Sequence, residues 1–280
     1  MSAMALLEPG DVAAADALTY PGFKLAAEAC HLELVSIPAA GRGPDPDVLA
    51  QLCKRRKVRA IYAMPTLHNP LGWVMAAQRR RELVAIARKH DLNVIEDGAY
   101  AFLEEAPPPP IAALAPERTV YVSGLSKSVA TGLRVGMIHG PQQWIEKLER
   151  AIRATTWHTP AVMTAIACSW LEDGTVTRLQ AQKRIDARQR QDIVTETLRH
   201  LKPVRHPTSY FVWLSMPEEV RADAVSKELM RADVLVSPAD PYATSKHIPH
   251  AIRLELGSGD VHTLRQSLQT VARAVAALAY

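Results

Sequence analysis

Lys127 stands in the run Tyr121-Val-Ser-Gly-Leu-Ser-Lys-Ser-Val-Ala-Thr-Gly-Leu-Arg134-Val-Gly136, which has what is needed to hold a phosphate beside an amine. A strand-like segment over 119–123 delivers the lysine between Ser126 and Ser128, and an arginine follows seven residues later. Lys127 and Arg134 bring charge, Ser123, Ser126 and Ser128 bring hydroxyl donors, and Gly124, Gly132 and Gly136 let a backbone approach a ligand closely. Taken alone, the same run also describes a surface loop with an ordinary lysine. Upstream, Asp97 ends the apolar segment Val94-Ile95-Glu96, which puts its carboxylate at the carboxyl edge of a sheet, where ligands of α/β folds sit. A helix N-cap is the plain alternative for Asp97. Glu96 alternates to the opposite strand face and is the weaker candidate.

The elements that must position these groups alternate through the first half of the chain. Short buried-strand patterns at 31–37, 58–64, 92–96, 119–123 and 135–139 are interleaved with amphipathic helical patterns at 44–55 and 76–90. This is the rhythm of a mainly parallel sheet covered on both faces. Long helices are expected over 142–154, 160–171 and 175–201, and Pro203 closes that stretch. Short strands at 210–215 and 251–256 and a helix at 221–231 follow. A last helix opens near Asp260 and puts Val261, Leu264, Leu268, Val271, Val275 and Leu278 on one stripe, which suits either packing on a small sheet or a dimer seam.

Composition narrows the classes. An apolar content of 48% over 280 residues builds one large or two ordinary cores, which excludes a disordered chain. Cys30, Cys53 and Cys168 have no ligand-like spacing, which argues against a disulfide frame or a zinc site and suits a reducing cytoplasm. There is no long apolar run, and the first eleven residues lack a basic start and a long apolar core, so a cytoplasmic protein with no membrane partner is expected. The formal charge is +4, and Lys54-Arg55-Arg56-Lys57 reads as a solvated turn rather than a nucleic-acid patch, because no interleaved aromatics accompany it.

Four motifs in order carry a resemblance across essentially the whole chain. They are Ile61-Tyr-Ala-Met-Pro65-Thr-Leu-His-Asn69-Pro70-Leu-Gly72, Arg79-Arg80-Arg81, Val94-Ile95-Glu96-Asp97-Gly-Ala-Tyr100, and Leu114-Ala-Pro-Glu-Arg-Thr-Val-Tyr-Val leading to Lys127. Together they resemble the class I/II aminotransferases of fold type I, which use pyridoxal 5′-phosphate (PLP), and most of all the aminotransferase-like domain of MocR/GntR-type transcriptional regulators. The resemblance implies an aspartate aminotransferase-like α/β fold. Residues 1–155 would form a large PLP-binding domain lacking its N-terminal part, and 156–280 would form bridging helices and a small C-terminal α+β domain.

Site roles follow from the same resemblance. Lys127 would condense with the cofactor aldehyde and then move the substrate's α-proton, which needs a neutral amine although a free lysine titrates at about 10.4. Asp97 would pair with the pyridine nitrogen, Tyr100 and Asn69 would donate to the phenolate oxygen, and Tyr20 would stack on the ring. Ser123, Ser126, Ser128 and Arg134 would share the phosphate with Lys127. Arg253, in Ala251-Ile-Arg253-Leu-Glu-Leu-Gly, would grip the substrate carboxylate through two parallel bonds, although an edge-strand arginine paired to Glu255 is the plain alternative. His68, next to Asn69, is left structural.

Two departures from the family pattern stand out. Gly124 occupies a position where relatives often have a phosphate-binding serine. Relatives also carry a glycine-rich phosphate loop at a helix N-terminus about two dozen residues before the stacking tyrosine, and counting back from Tyr20 runs off the start of this chain. The chain as written is therefore expected to hold PLP weakly, and the arm that completes a neighbour's site and the winged-helix DNA-binding domain are likewise expected to be missing. The expected activity is amino-group transfer between an amino acid and a 2-oxo acid in a homodimer. The alternative is a PLP- or amino-acid-sensing effector domain without turnover, whose DNA contact would lie outside this chain.

Overall fold

The computed structural model describes residues 1–279. Its larger sheet is built from β1 (Val12–Asp16), β2 (Glu33–Ile37), β3 (Val58–Ala63), β4 (Asn93–Asp97), β5 (Thr119–Gly124) and β6 (Gly136–His139), in the order β2-β1-β3-β4-β5-β6. The first five strands are parallel and β6 is antiparallel to β5. Parallel pairing brings the carboxyl ends of β1, β3, β4 and β5 to one edge. Asp16, Asp97 and the segment after Gly124 all emerge there.

The helices of this half are α1 (Ser2–Leu6), α2 (Pro21–Ala29), α3 (Pro46–Arg55), α4 (Ala77–Lys89), α5 (Ile111–Leu114) and α6 (Leu125–Ser128). Local chemistry sets their ends. Asp45 accepts from the amides of Asp47 and Val48, Pro46 opens α3, and Lys54 and Arg55 lie in its last turn, where the helix dipole favours them. Strand β1 and helix α2 were not legible in the sequence. Val12-Ala-Ala-Ala-Asp16 has little intrinsic strand preference, yet all five residues are buried between β2 and β3. Pairing on both edges and cover on both faces override propensity there.

Helices α7 (Ile145–Thr155), α8 (Ala161–Glu172) and α9 (Thr175–Leu198) lead to a second, antiparallel sheet. It contains β7 (Val204–Arg205), β8 (Phe211–Ser215), β9 (Ser237–Pro238) and β10 (Ala251–Glu255), ordered β7-β8-β10-β9, with α10 (Ala222–Arg231) and α11 (Val261–Leu278) packed on it. The stripe on α11 is spent inside the chain. Leu264, Leu268, Val271 and Val275 join Val194 and Leu198 of α9 and Val212, Leu214, Ile252 and Leu254 of the sheet in one buried cluster. The loop after β9 reaches back to the first sheet, where Thr19 N donates to Tyr242 O (2.8 Å) and Thr244 N to Ala17 O (2.9 Å).

A buried cation ties the larger sheet to the loops at its carboxyl edge. Helix α4 turns Arg80 inward with Leu83, Val84 and Ala87. Arg80 donates to the carbonyls of Met75 (3.0 Å), Pro65 (2.9 Å), Pro108 and Pro109 (both 3.1 Å) and to the hydroxyl of Thr66 (2.9 Å). Glu96 holds the end of the same proline-rich loop by accepting from Ile111 N (3.0 Å) and Ala112 N (2.8 Å) at the start of α5. Replacing Arg80 with Met keeps the length of the side chain but leaves these acceptors without donors. We expect the midpoint of urea unfolding to fall by the equivalent of about 3 kcal/mol or more, with the slope unchanged. A loss below about 0.5 kcal/mol, the range of ordinary surface substitutions, would show that water replaces the guanidinium without cost.

Candidate functional site

Asp97 is the last residue of β4 and turns its carboxylate into the space beyond the sheet edge. Its Oδ2 accepts from the Tyr62 hydroxyl at 2.6 Å and its Oδ1 from Ala99 N at 2.9 Å. Burial pushes the carboxyl above its ordinary range, against the pull of the Tyr62 hydroxyl, the Ala99 amide and the charge of Lys127. The Tyr62 phenol is held well above its usual value by its own burial and by Asp97. Phe23 stacks flat on Tyr62, with centroids 3.9 Å apart, which fixes the hydroxyl toward Asp97. In the sequence Tyr62 is one residue of the run that begins at Ile61, with nothing to mark it as polar-partnered. A phenol within the buried strand Val58–Ala63 nonetheless demands a polar partner.

Lys127 comes from the short helix α6 directly after β5. Its Nζ lies 5.7 Å from the ring centroid of Tyr100 and makes no ion pair among the described residues. Tyr100 is buried, which raises its phenol, and the Arg253 charge opposes that shift. Tyr20 caps α2 and remains 43% exposed, with its ring folded over Gly22, where any side chain would collide with it. Tyr20 opens the helix whose Phe23 stacks on Tyr62. One neighbourhood therefore joins Tyr20, Tyr62, Asp97, Tyr100 and Lys127.

Asn69 lies in the turn after β3, is buried, and has an amide oxygen with no partner. The peptide from Asn69 to Pro70 is cis. The turn is closed by His68 N donating to Trp73 O (2.9 Å) and Met75 N to Pro65 O (2.8 Å). His68 is wholly buried, stacks on Trp73 at 4.0 Å, and sets Nε2 3.5 Å from Asp16 Oδ2. It braces the turn from behind.

On the second sheet, β10 presents Arg253, whose side chain is only 7% exposed. Its guanidinium carbon lies 4.5 Å from the ring of Phe211 and 5.9 Å from that of Tyr242. The Phe211 ring in turn meets Tyr100 edge-on at 5.2 Å, which links this arginine to the first neighbourhood. Nη1 donates to Glu255 Oε2 at 2.9 Å, and Nε is buried with no partner.

The remaining hydroxyls and Arg134 divide differently. Ser123 and Arg134 line a cavity of about 560 Å³, together with Ser2, Gly136, Ile152 and His158, and none of Asn69, Asp97, Tyr100 or Lys127 borders it. Ser128 is buried and its hydroxyl donates to the carbonyl of Gly124 at 3.5 Å, so it is turned away from open space. Ser126 keeps its hydroxyl unengaged, while its carbonyl accepts from Thr131 Oγ1 at 3.4 Å. Gly124 pairs with Gly136 across β5 and β6, and a Cβ there would sit 3.0 Å from Val135 O. That close approach favours glycine at position 124.

The Aminotransferase class I and II family model matches residues 1–271. The chain belongs to that family. It is 30% identical over 253 residues to the aminotransferase SSO0104 of Saccharolobus solfataricus, covering 85% of this chain and 62% of that one. It is 27% identical over 252 residues to the HTH-type transcriptional regulator YdeF of Bacillus subtilis, covering 90% and 54%. The chain thus spans between half and two thirds of the length of these relatives. Among solved structures, an archaeal alanine:glyoxylate aminotransferase superposes with a TM-score of 0.90 at 28% identity, covering 98% of this chain and 71% of that one. LysN, the α-aminoadipate aminotransferase of Thermus thermophilus, solved with N-(5′-phosphopyridoxyl)-L-leucine, gives 0.90 at 24% identity over 98% and 73%, which speaks for the fold. Among the described residues no helix is long and apolar enough to cross a membrane, and no His, Cys, Asp and Glu cluster is arranged to hold a metal ion.

Proposed function

We propose that this chain carries the core of a PLP-dependent aminotransferase site, acting on an amino acid and a 2-oxo acid. The observation that carries the reading is the convergence of a free lysine amine, a buried carboxylate fixed by a phenol, and an aromatic-clasped arginine around Tyr100. These residues fit the cofactor by the chemistry of their donors. The Lys127 amine makes no ion pair among the described residues, and Asp97 offers an acceptor to a protonated ring nitrogen. Pyridoxal phosphate, when bound, supplies an aldehyde and an electron-accepting ring.

The chain's own residues would do the rest. Asp97, with its two oxygens oriented by Tyr62 and Ala99, would hold a proton at the ring nitrogen. Asn69 and Tyr100 would orient the phenolate side, and Tyr20 would cover one ring face and exclude water. Lys127 Nζ would take up and hold the substrate's α-proton. Ser126 is the proposed phosphate partner beside Lys127; Ser123 and Arg134, which line a separate cavity, and Ser128, whose hydroxyl faces Gly124 O, would have to turn toward the site to join it. Arg253 would bind the substrate carboxylate. Residues 1–155 and 156–280 would act as the large and small domains of a homodimeric protein in the cytoplasm.

Mixing the chain with PLP, L-amino acids and a 2-oxo acid tests the reading. Amino-acid-dependent formation of a new 2-oxo acid is expected. A ligand-induced change of the cofactor's absorbance with no 2-oxo acid formed would favour the sensing domain of a regulator, a reading that the likeness to YdeF supports. Arg253→Lys keeps the charge but loses one of two parallel bonds, so amino acid affinity should fall by roughly 1–3 kcal/mol in a calorimetric titration. Unchanged affinity would remove Arg253 from this role.

A further inference from the structure

The Arg253 fork already holds a carboxylate. Arg253 and Glu255 are two residues apart on β10, so both face the same side of the strand, opposite Trp213 and Phe211 of β8. Nη1 is bonded to Glu255 Oε2 at 2.9 Å. Nε, on the other edge of the guanidinium, is buried and has no hydrogen-bond partner among the described residues. Phe211 and Tyr242 flank the group and fix its plane. A ligand carboxylate that binds end-on with two parallel bonds to Nη1 and Nη2 meets Glu255, which already holds Nη1. The two residues are unequally buried: the Arg253 side chain is 7% exposed and that of Glu255 is 47% exposed. The arginine is fixed, and the glutamate has solvent to move into.

We propose that Glu255 is a built-in competitor for the substrate carboxylate, seated on Arg253 in the free protein and displaced toward solvent when an amino acid binds. This rests on the reading of Arg253 as the carboxylate clamp. Displacement lowers affinity for every ligand that relies on its carboxylate and leaves ligands without one unaffected. Glu255 thereby narrows the margin by which the site prefers an amino acid to the corresponding amine. The half-exposed ion pair is a modest obstacle, which solvent screens.

L-norleucine and n-pentylamine form a matched pair, since the amine is the amino acid without its carboxylate. Titrating both by calorimetry into the full chain loaded with PLP, and into its Glu255→Gln and Arg253→Gln variants, separates the possibilities. Glu255→Gln should bind norleucine roughly three- to tenfold more tightly, as expected for removal of a screened ionic competitor, and pentylamine no more tightly than before. Weaker or unchanged norleucine binding in Glu255→Gln, with binding still lost in Arg253→Gln, overturns the competitor and leaves the clamp standing, with Glu255 then a residue that positions Arg253. Norleucine binding that survives in Arg253→Gln overturns the clamp itself. Absence of norleucine binding by both the unaltered chain and Glu255→Gln overturns both.

Discussion

Lys127→Ala should leave the fold in place and bring amino-group transfer to background. The expectation of an intact fold rests on how little Lys127 contributes to packing, since it is exposed and among the described residues its amine makes no ion pair and lies 5.7 Å from the Tyr100 ring centroid. A positioned general base contributes about 10²–10⁴ in rate, and loss of the covalent attachment point adds to that deficit. Circular dichroism and the unfolding midpoint check the first half, and 2-oxo acid formation checks the second. A variant that retains more than about a tenth of the rate would place the proton transfer elsewhere, because a tenfold loss corresponds to only 1.36 kcal/mol of barrier.

Asp97→Asn should have opposite effects on activity and stability. An amide cannot stabilise a positive charge at the ring nitrogen, so transfer should slow by several orders of magnitude. Stability should respond in the other direction. Burial raises the Asp97 carboxyl above its ordinary 3.8, so the folded chain favours the protonated form. The stability that this group contributes is present in full below the unfolded value and is lost as pH rises through the raised folded value. At neutral pH the ionised carboxylate is a burden that the cofactor-free fold carries. Asn removes that burden, so the cofactor-free variant should unfold at higher denaturant than the unaltered chain at pH 7, with the difference shrinking toward pH 3. A variant that is less stable at pH 7, or one with an unchanged transfer rate, would make Asp97 a structural residue.

The sequence exposed the parts of this site that depend on long pattern and order. Amphipathic stripes located α3, α4, α9 and α11 within a few residues, and the apolar run before Asp97 placed it at the carboxyl end of β4. What escaped depends on tertiary neighbours. Strand β1 is made mostly of alanine and exists because β2 and β3 pair with both of its edges. The Tyr62 hydroxyl reaches Asp97 only because β3 and β4 run parallel, with Tyr62 opposite Ile95, two residues before the aspartate. Arg80 was readable in principle. It shares the 3- and 4-residue spacing of Leu83, Val84 and Ala87, but in Arg79-Arg80-Arg81 the inward member is hidden between a partly buried and an exposed arginine. Ser126 and Ser128 flank Lys127 equally in sequence, and the single helical turn of α6 separates them, sending one hydroxyl into the core.

The central claim is that Lys127 is the residue to which the cofactor becomes attached. Incubation with PLP, reduction with borohydride and peptide mapping by mass spectrometry test it most directly. The predicted result is one phosphopyridoxyl group on the peptide bearing Lys127, and none on that peptide in Lys127→Ala. Label on Lys54 or Lys147, or label spread evenly over the exposed lysines, would contradict it.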